Sequence, residues 1–422
     1  MPHPDLPPEL SGAAGPASPG PTRLGRYGRA LRHRDYRLFF FGQLFSLVGT
    51  WIQTTALGWL VFRLTGSPAA LGLMAAATQG PILLLTLYGG AIADRSDRRR
   101  LILRLQFVAA AIAGSLAVLT LSGVIEVWHT FVLGACLGTV NAFEIPARQS
   151  FIVQLVGRED LPNAIALNST MFNLARITGP AIGGVLIATA GEGWCFALNT
   201  ISFVFIIGAL ALIRADRAPV PSRASALSEM RAGFVYVWGE RRLRALLLGV
   251  AIASAAGTPY LTLLPAFARQ VLGADADAYG VLVSAAGLGA LVGALMLAGR
   301  SSIAGLARWP VRALVVFGTA LAALAWAPGY WLAVPCLLAA GGGMMVLTAS
   351  INTLLQDLVD DAFRGRVISF FALALLGLAP LGAVVLGALA EATGPRWAFS
   401  AGALVLLGAA WSFRDLPARL SR

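Results

Sequence analysis

Arg176 has the most unusual setting of any residue capable of chemistry. It stands in an otherwise apolar run over about 163–188, thirteen residues after Asn163, which places it about 20 Å along a helix rising 1.5 Å per residue. Ser169, Asn173, Arg176, Gly179, Pro180 and Gly183 recur every three or four residues and share one helical stripe. A guanidinium there can hold an anionic or hydrogen-bonding ligand through its planar fork. Equally, it can tie helices together through amides and carbonyls. Gln43, Ser46, Thr50, Gln53 and Thr54 form a second one-sided set. A face of five polar residues lines a cavity more readily than a packed seam, although single polar residues more often join helices. The cavity residues expected are therefore Gln43, Ser46, Thr50, Gln53, Thr54, Gln79, Asn141, Asn173, Arg176 and Asn199, with Asn168 nearby and Trp51 positioned to stack on an aromatic ligand.

Acid–base chemistry has little support. Glu144, about one turn from the end of its apolar run, is the most deeply placed carboxylate, and Arg148 follows at i+4. The pair is either a latch or a proton-coupling site. Glu126 and Glu391 fall at the opposite surface, and no carboxylate lies mid-run. No glycine-rich phosphate loop ending in Lys, nucleophile elbow or metal-ligand cluster is present, so no enzymatic activity, cofactor or metal is expected. Cys136, Cys195 and Cys336 stand singly, without CxxC spacing, and read as packing residues.

The elements that position these residues follow from composition. Only 12% of the 422 residues are charged and 57% are apolar, against about 25% charged in soluble domains. With a mean hydropathy of +0.75, the chain reads as an all-α integral membrane protein. Apolar runs at about 38–62, 68–93, 101–122, 127–147, 163–188, 194–213, 245–268, 278–298, 310–327, 331–352, 366–390 and 396–413 suggest twelve transmembrane helices. All 32 basic residues are Arg, and alternating the loops puts 28 on the side of both termini; only Arg63, Arg269 and Arg396 fall on the other. Both termini are therefore expected in the cytoplasm. The net charge of +12 belongs to this topology, and no nucleic-acid partner is expected. Ala and Gly richness with exclusive Arg suggests a bacterial cell, hence its inner membrane.

Residues 1–37 read as a disordered basic tail, 38–213 as a six-helix bundle, 214–244 as a linker with an interfacial helix near Ser228–Trp238, 245–413 as a second six-helix bundle and 414–422 as a tail. An offset of 203 residues pairs Gly90 with Gly293, Gly138 with Gly341, Gly179 with Gly382, Gly184 with Gly387, Gly191 with Gly394, Trp194 with Trp397 and Phe196 with Phe399. Such matches over more than a hundred residues indicate two six-helix pseudo-repeats. Arg176 maps onto Ala379 and Asn173 onto Leu376, so the charge has no twin.

The loop GGAIADRSDRRR runs from Gly89 to Arg100. Gly90 permits close helix approach, Asp94 can accept from arginines at the membrane lip, and Arg95, Arg98 and Arg99 hold the loop to the surface. This run resembles the major facilitator superfamily signature G-x-L-A-D-R-x-G-R-[RK], with Asp97 replacing its usual Gly. Gly179, Pro180, Gly183 and Gly184 resemble the superfamily's helix-5 antiporter motif. Arg34–Phe39, Gly49–Gln53, Trp59–Val61, Leu64–Pro68, Pro146–Ser150, Leu264–Phe267 and Tyr279-Gly280 extend the resemblance to the branch containing the enterobactin exporter and related drug and siderophore efflux proteins. It implies the twelve-helix major facilitator fold and proton-driven export of a small amphipathic molecule. The expected partners are that cargo, protons and the lipid bilayer, with the protein a monomer. An uptake carrier of the same fold is the alternative, and a non-transporting scaffold or sensor is disfavoured because no soluble domain is appended.

Overall fold

The structure, a computed structural model, describes residues 28–214, 234–299 and 305–416. The expected tail up to residue 27, most of the 214–244 linker and the last six residues lie outside these segments. Among the described residues, ten elements are long and apolar enough to cross a membrane. The longest, Val127–Ala190, is broken where Gly157 takes φ 72°, a left-handed conformation that glycine adopts at little cost. With this break, and with Pro395–Ser412 packed beside the rest, the described residues are consistent with twelve spanning helices. They are α1 (Arg34–Thr65), α2 (Pro68–Arg95), α3 (Arg98–Leu121), α4 (127–156), α5 (158–190), α6 (Glu192–Leu212), α7 (Arg241–Gln270), α8 (Ala276–Ala298), α9 (Trp309–Ala325), α10 (Tyr330–Leu358), α11 (Phe363–Thr393) and α12 (Pro395–Ser412).

Local chemistry sets several boundaries. Gly66 ends α1 at φ 63°, and Ser67 then caps α2 by accepting from Ala70 N at 3.1 Å, with Pro68 at the first helical position. The basic tail ends earlier than expected. Residues 29–32 form a 3₁₀ turn, and Arg29 pairs with Glu159 at 2.8 Å and Asp160 at 3.2 Å. Tyr36 donates to the Ala164 carbonyl at 3.0 Å. The opposite charges at the start of α5 order residues expected to be free. Of the anticipated interfacial helix, residues 234–239 are helical, and Tyr236 stacks on Phe363 at 4.3 Å. Large apolar side chains on the outer faces of the bundle, among them Leu84, Leu404 and Trp331, are mostly exposed, as expected where lipid replaces water.

The two halves repeat at the level of contacts. A Cβ on Gly179 would press on Trp51 and Ile52 of α1, and one on Gly382 would press on Ala255 of α7; both pairs keep the 203-residue offset. Gly191 and Gly394 end α5 and α11 at φ 89° and 91°. Within α2 and α8 the register differs. Gly138 meets Thr78 as Gly341 meets Ala286, and Gly72 meets Ala383 as Gly280 meets Pro180. These pairs relate α2 to α8 by 208 residues, so the Gly90/Gly293 match is coincidental.

The repeat is also uneven. Ala253–Gly257 and Leu373–Gly377 are π-helical turns in α7 and α11, joined by Ser254 Oγ donating to the Leu375 carbonyl at 2.6 Å. Their counterparts in α1 and α5 stay α-helical, and there Trp51 and Phe172 meet edge to face with centroids 5.7 Å apart.

Candidate functional site

The halves meet at one end only among the contacts described. Glu391 of α11 accepts from Ser67 Oγ at 2.7 Å and from Ala69 N at 3.3 Å, so a carboxylate from one half caps a helix of the other. Trp59 stacks on Tyr279 at 5.5 Å. A Cβ on Gly184 would lie 2.8 Å from Gly280 Cα, and one on Gly387 would lie 3.4 Å from Gly72 Cα. The seal reaches inward to Arg176 beside Gly287 and to Leu83 beside Gly377. Beyond that level, toward the arginine-rich end, the ends of α7 and α11 pack within their own half.

Arg176 stands where the seal stops. Its carbonyl is 3.0 Å from where a Cβ on Gly287 of α8 would sit. Arg176 Nη2 donates to Asn173 Oδ1 at 2.7 Å, and Asn173 Nδ2 donates to the Ser169 carbonyl at 2.8 Å. Nε is buried without a partner, and no carboxylate pairs with the guanidinium among the described residues. The Phe172 ring lies 6.0 Å from its Cζ. The 208-residue register places Gln79 of α2 opposite Ala379, as Gly287 lies opposite Arg176. Gln79 and Asn141 are half-buried and have no hydrogen-bond partner among the described residues.

The polar face expected on α1 divides. Gln43, Ser46 and Gln53 are buried, as is Asn199 of α6. Asn199 Nδ2 donates to Gln53 Oε1 at 2.7 Å, and Ser202 Oγ donates to Asn199 Oδ1 at 3.0 Å. Gln53 and Asn199 therefore form a tie between α1 and α6, a correction to their expected place on a cavity wall; Gln43 and Ser46 are likewise too buried to line one. Gln53 and Asn199 satisfy each other because lipid offers them nothing, whereas Gln43 Oε1 is buried without a partner among the described residues. At the equivalent crossing of α7 and α12, Gly402 approaches Ala256 directly. Thr50 and Thr54 are more accessible, and their hydroxyls donate to the Ser46 and Thr50 carbonyls at 2.9 and 2.8 Å. Asn199→Ala, which strands Gln53 Oε1, is expected to lower stability by about 0.6–1.7 kcal/mol, the range for interhelical hydrogen bonds in bilayers. Thermal unfolding in detergent would measure it, and unchanged stability would remove the tie.

At the arginine-rich end, Asp94 pairs with Arg98 at 3.5 Å. Asp97, which replaces the signature's glycine, caps α3 by accepting from Arg100 N at 3.1 Å, so the departure from the signature supplies a helix start. Arg99 donates to the Leu210 and Ala211 carbonyls at 2.7 and 3.0 Å, satisfying the end of α6. Arg95 is exposed. Gly89 packs on Ala142 of α4, whereas Gly90 merely touches Pro146. Glu144 is buried, with Arg148 Nε at 3.4 Å but without hydrogen-bond geometry at Oε1. In the helix-5 motif, Gly179 and Gly183 face α1, whereas Pro180 and Gly184 face α8 of the other half.

Sequence reasoning missed the role of Glu391. Ser67-Pro68 is a readable helix start, but nothing local announces that a residue 324 positions away caps it.

A helical bundle of two repeating halves, sealed at one end around a polar centre, defines a multi-pass membrane transporter of the major facilitator type and not an enzyme. The family model described as "Transmembrane secretion effector" matches residues 29–419, and the chain belongs to that family. The chain is 28% identical over 381 residues to the multidrug efflux pump Tap of Mycolicibacterium fortuitum, covering 88% of this chain and 92% of that one. It is 27% identical over 379 residues to the enterobactin exporter EntS of Shigella flexneri, covering 89% and 90%. Among solved structures, a bacterial homologue of the lysosomal transporter Spinster, inward-facing and unoccupied, superposes with a TM-score of 0.70 at 16% identity, covering 92% and 97%. That likeness speaks to the fold.

Proposed function

We propose that the protein exports a small amphipathic organic molecule by alternating access, driven by the proton gradient. The observation that carries this reading is the one-ended seal, which stops at Arg176 and leaves the polar centre beneath it. The arginine-rich end is cytoplasmic by the positive-inside rule, so both termini face the cytoplasm of a bacterial inner-membrane protein, and the arrangement described is the inward-facing one. Thr50, Thr54, Gln79, Asn141, Asn173 and Arg176 line the cargo path. Asp94, Arg95, Arg98 and Arg99 close the cytoplasmic end in the opposite state, when Asp94 exchanges its pairing within the loop for the other half. Glu144, buried beside Arg148, carries the coupled proton or latches the gate. The names of the relatives, an efflux pump and an exporter, support outward transport, and the protein acts as a monomer.

The test is reconstitution in liposomes of known orientation, with a fluorescent amphipathic dye and an imposed pH gradient. Dye movement from the cytoplasmic to the opposite face, lost when the gradient is collapsed, is expected. Movement only in the other direction would make the protein an uptake carrier, and indifference to the gradient would remove proton coupling. Glu144→Gln with full gradient-driven accumulation would clear Glu144 of that role.

A further inference from the structure

The charge of Arg176 is unbalanced at a place where imbalance is expensive. A guanidinium within the bilayer costs about 2.5–3.5 kcal/mol even on insertion scales, and such residues ordinarily pair. The carboxylates on neighbouring elements are engaged elsewhere: Glu159 and Asp160 with Arg29, Glu192 with Arg63 at 2.7 Å, Glu144 with Arg148, and Glu391 with Ser67. Asp277, at the start of α8, lies beside Gly184, two turns beyond Arg176 along α5. The guanidinium has one hydrogen bond, to the neutral amide of Asn173, and a buried Nε–H with no acceptor.

An aromatic pair adjoins it. Phe172 precedes Arg176 by one turn toward the unsealed end and is 44% exposed, although its stripe of α5 is the one that meets the second half at Arg176. Its ring meets Trp51 edge to face. Arg176, packed on Gly287 across the seam, lies one turn above Phe172 on the sealed side.

Resting on the exporter reading, we propose that the cargo is an aromatic organic anion, its acidic group accepting from the Nη hydrogens of Arg176 and its ring lying against Phe172 and Trp51. The unpaired guanidinium selects the charge, because a planar donor edge matches a carboxylate, sulfonate or phosphate bidentately. The aromatic pair selects a flat apolar body. A cationic cargo is disfavoured because it would meet Arg176 with no carboxylate to offset it.

The full-length protein in lipid nanodiscs would be titrated with 2-naphthoate, 2-naphthylmethanol and 2-naphthylmethylammonium, following tryptophan fluorescence and, independently, calorimetry. The naphthoate is expected to bind about tenfold or more tightly than the alcohol, and the ammonium more weakly than either. Arg176→Gln should erase the preference for naphthoate while leaving the alcohol's affinity within about twofold, and Phe172→Ala should weaken all three together. Equal affinity for naphthoate and the alcohol, or naphthoate binding unaltered in Arg176→Gln, would overturn the proposal. If Arg176→Gln fails to fold, Arg176→Lys serves: it keeps the charge but loses the fork, and naphthoate binding at full wild-type strength there would equally overturn it. Charge-selective binding without gradient-driven movement would count against the exporter reading and leave the site standing. Gradient-driven dye export with no charge selectivity would do the reverse.

Discussion

Gly280→Val is expected to lower transport about a hundredfold or more while leaving a folded, monodisperse protein. The three atoms nearest to an added Cβ all belong to α5, in the other half: Pro180 O at 2.5 Å, Gly184 Cα at 2.7 Å and Gly184 N at 3.0 Å. These are backbone atoms, so no rotamer change relieves the collision, and the seam closes only if the helices separate. Overpacking of this kind costs about 3 kcal/mol, and each 1.4 kcal/mol is a factor of ten in population. In a conformation where the seal has parted these three contacts are gone, so folding is spared and the cycle stalls. Initial rates in proteoliposomes, with size-exclusion profiles and melting temperatures as controls, check this. Near-normal transport would show that α5 and α8 need not approach as closely as they do here.

Gly382→Val should give the opposite result, loss of the folded protein itself. An added Cβ would strike the Ala255 carbonyl oxygen and approach its carbonyl carbon to 2.6 Å and its Cα to 2.8 Å. Ala255 belongs to α7, in the same half as α11, so this crossing persists in every conformation that moves the halves as bodies. Its counterpart packs Gly179 on Trp51 and Ile52. With about 3 kcal/mol or more lost from a net stability of about 5–15 kcal/mol, the detergent-solubilised variant is expected to aggregate or melt well below wild type. A variant that remained monodisperse but inactive would show that this crossing also moves during transport. Gly280 and Gly382, both crowded by backbone atoms of a neighbouring helix, thereby separate closure from assembly.

How much was legible beforehand depended on the range of the interaction responsible. Apolar runs, the arginine imbalance and the loop from Gly89 to Arg100 are written in consecutive residues, so the spanning helices, the transporter class and the duplication could be read directly. Helical periodicity grouped the polar residues of α1 on one side, but a period of 3.6 carries no information about what that side faces. Packing against α6 buried Gln53 with Asn199 and left Thr54 exposed. The constant 203-residue offset likewise failed in α2, where only crossings such as Gly72 on Ala383 revealed the register of 208.

The sequence by itself determined that the chain lives in a bilayer, which end carries the arginines, where its helices lie and that Arg176 cannot face lipid, because transfer energy and backbone satisfaction are local properties of each segment. Only the tertiary structure decided that Arg176 lacks a carboxylate partner among the described residues, that Phe172 and Trp51 flank it, and that Glu391 holds the halves together through Ser67. Each of those depends on helices distant in sequence meeting at one depth, and helix crossings are set by the joint shape of both surfaces, which neither segment encodes alone.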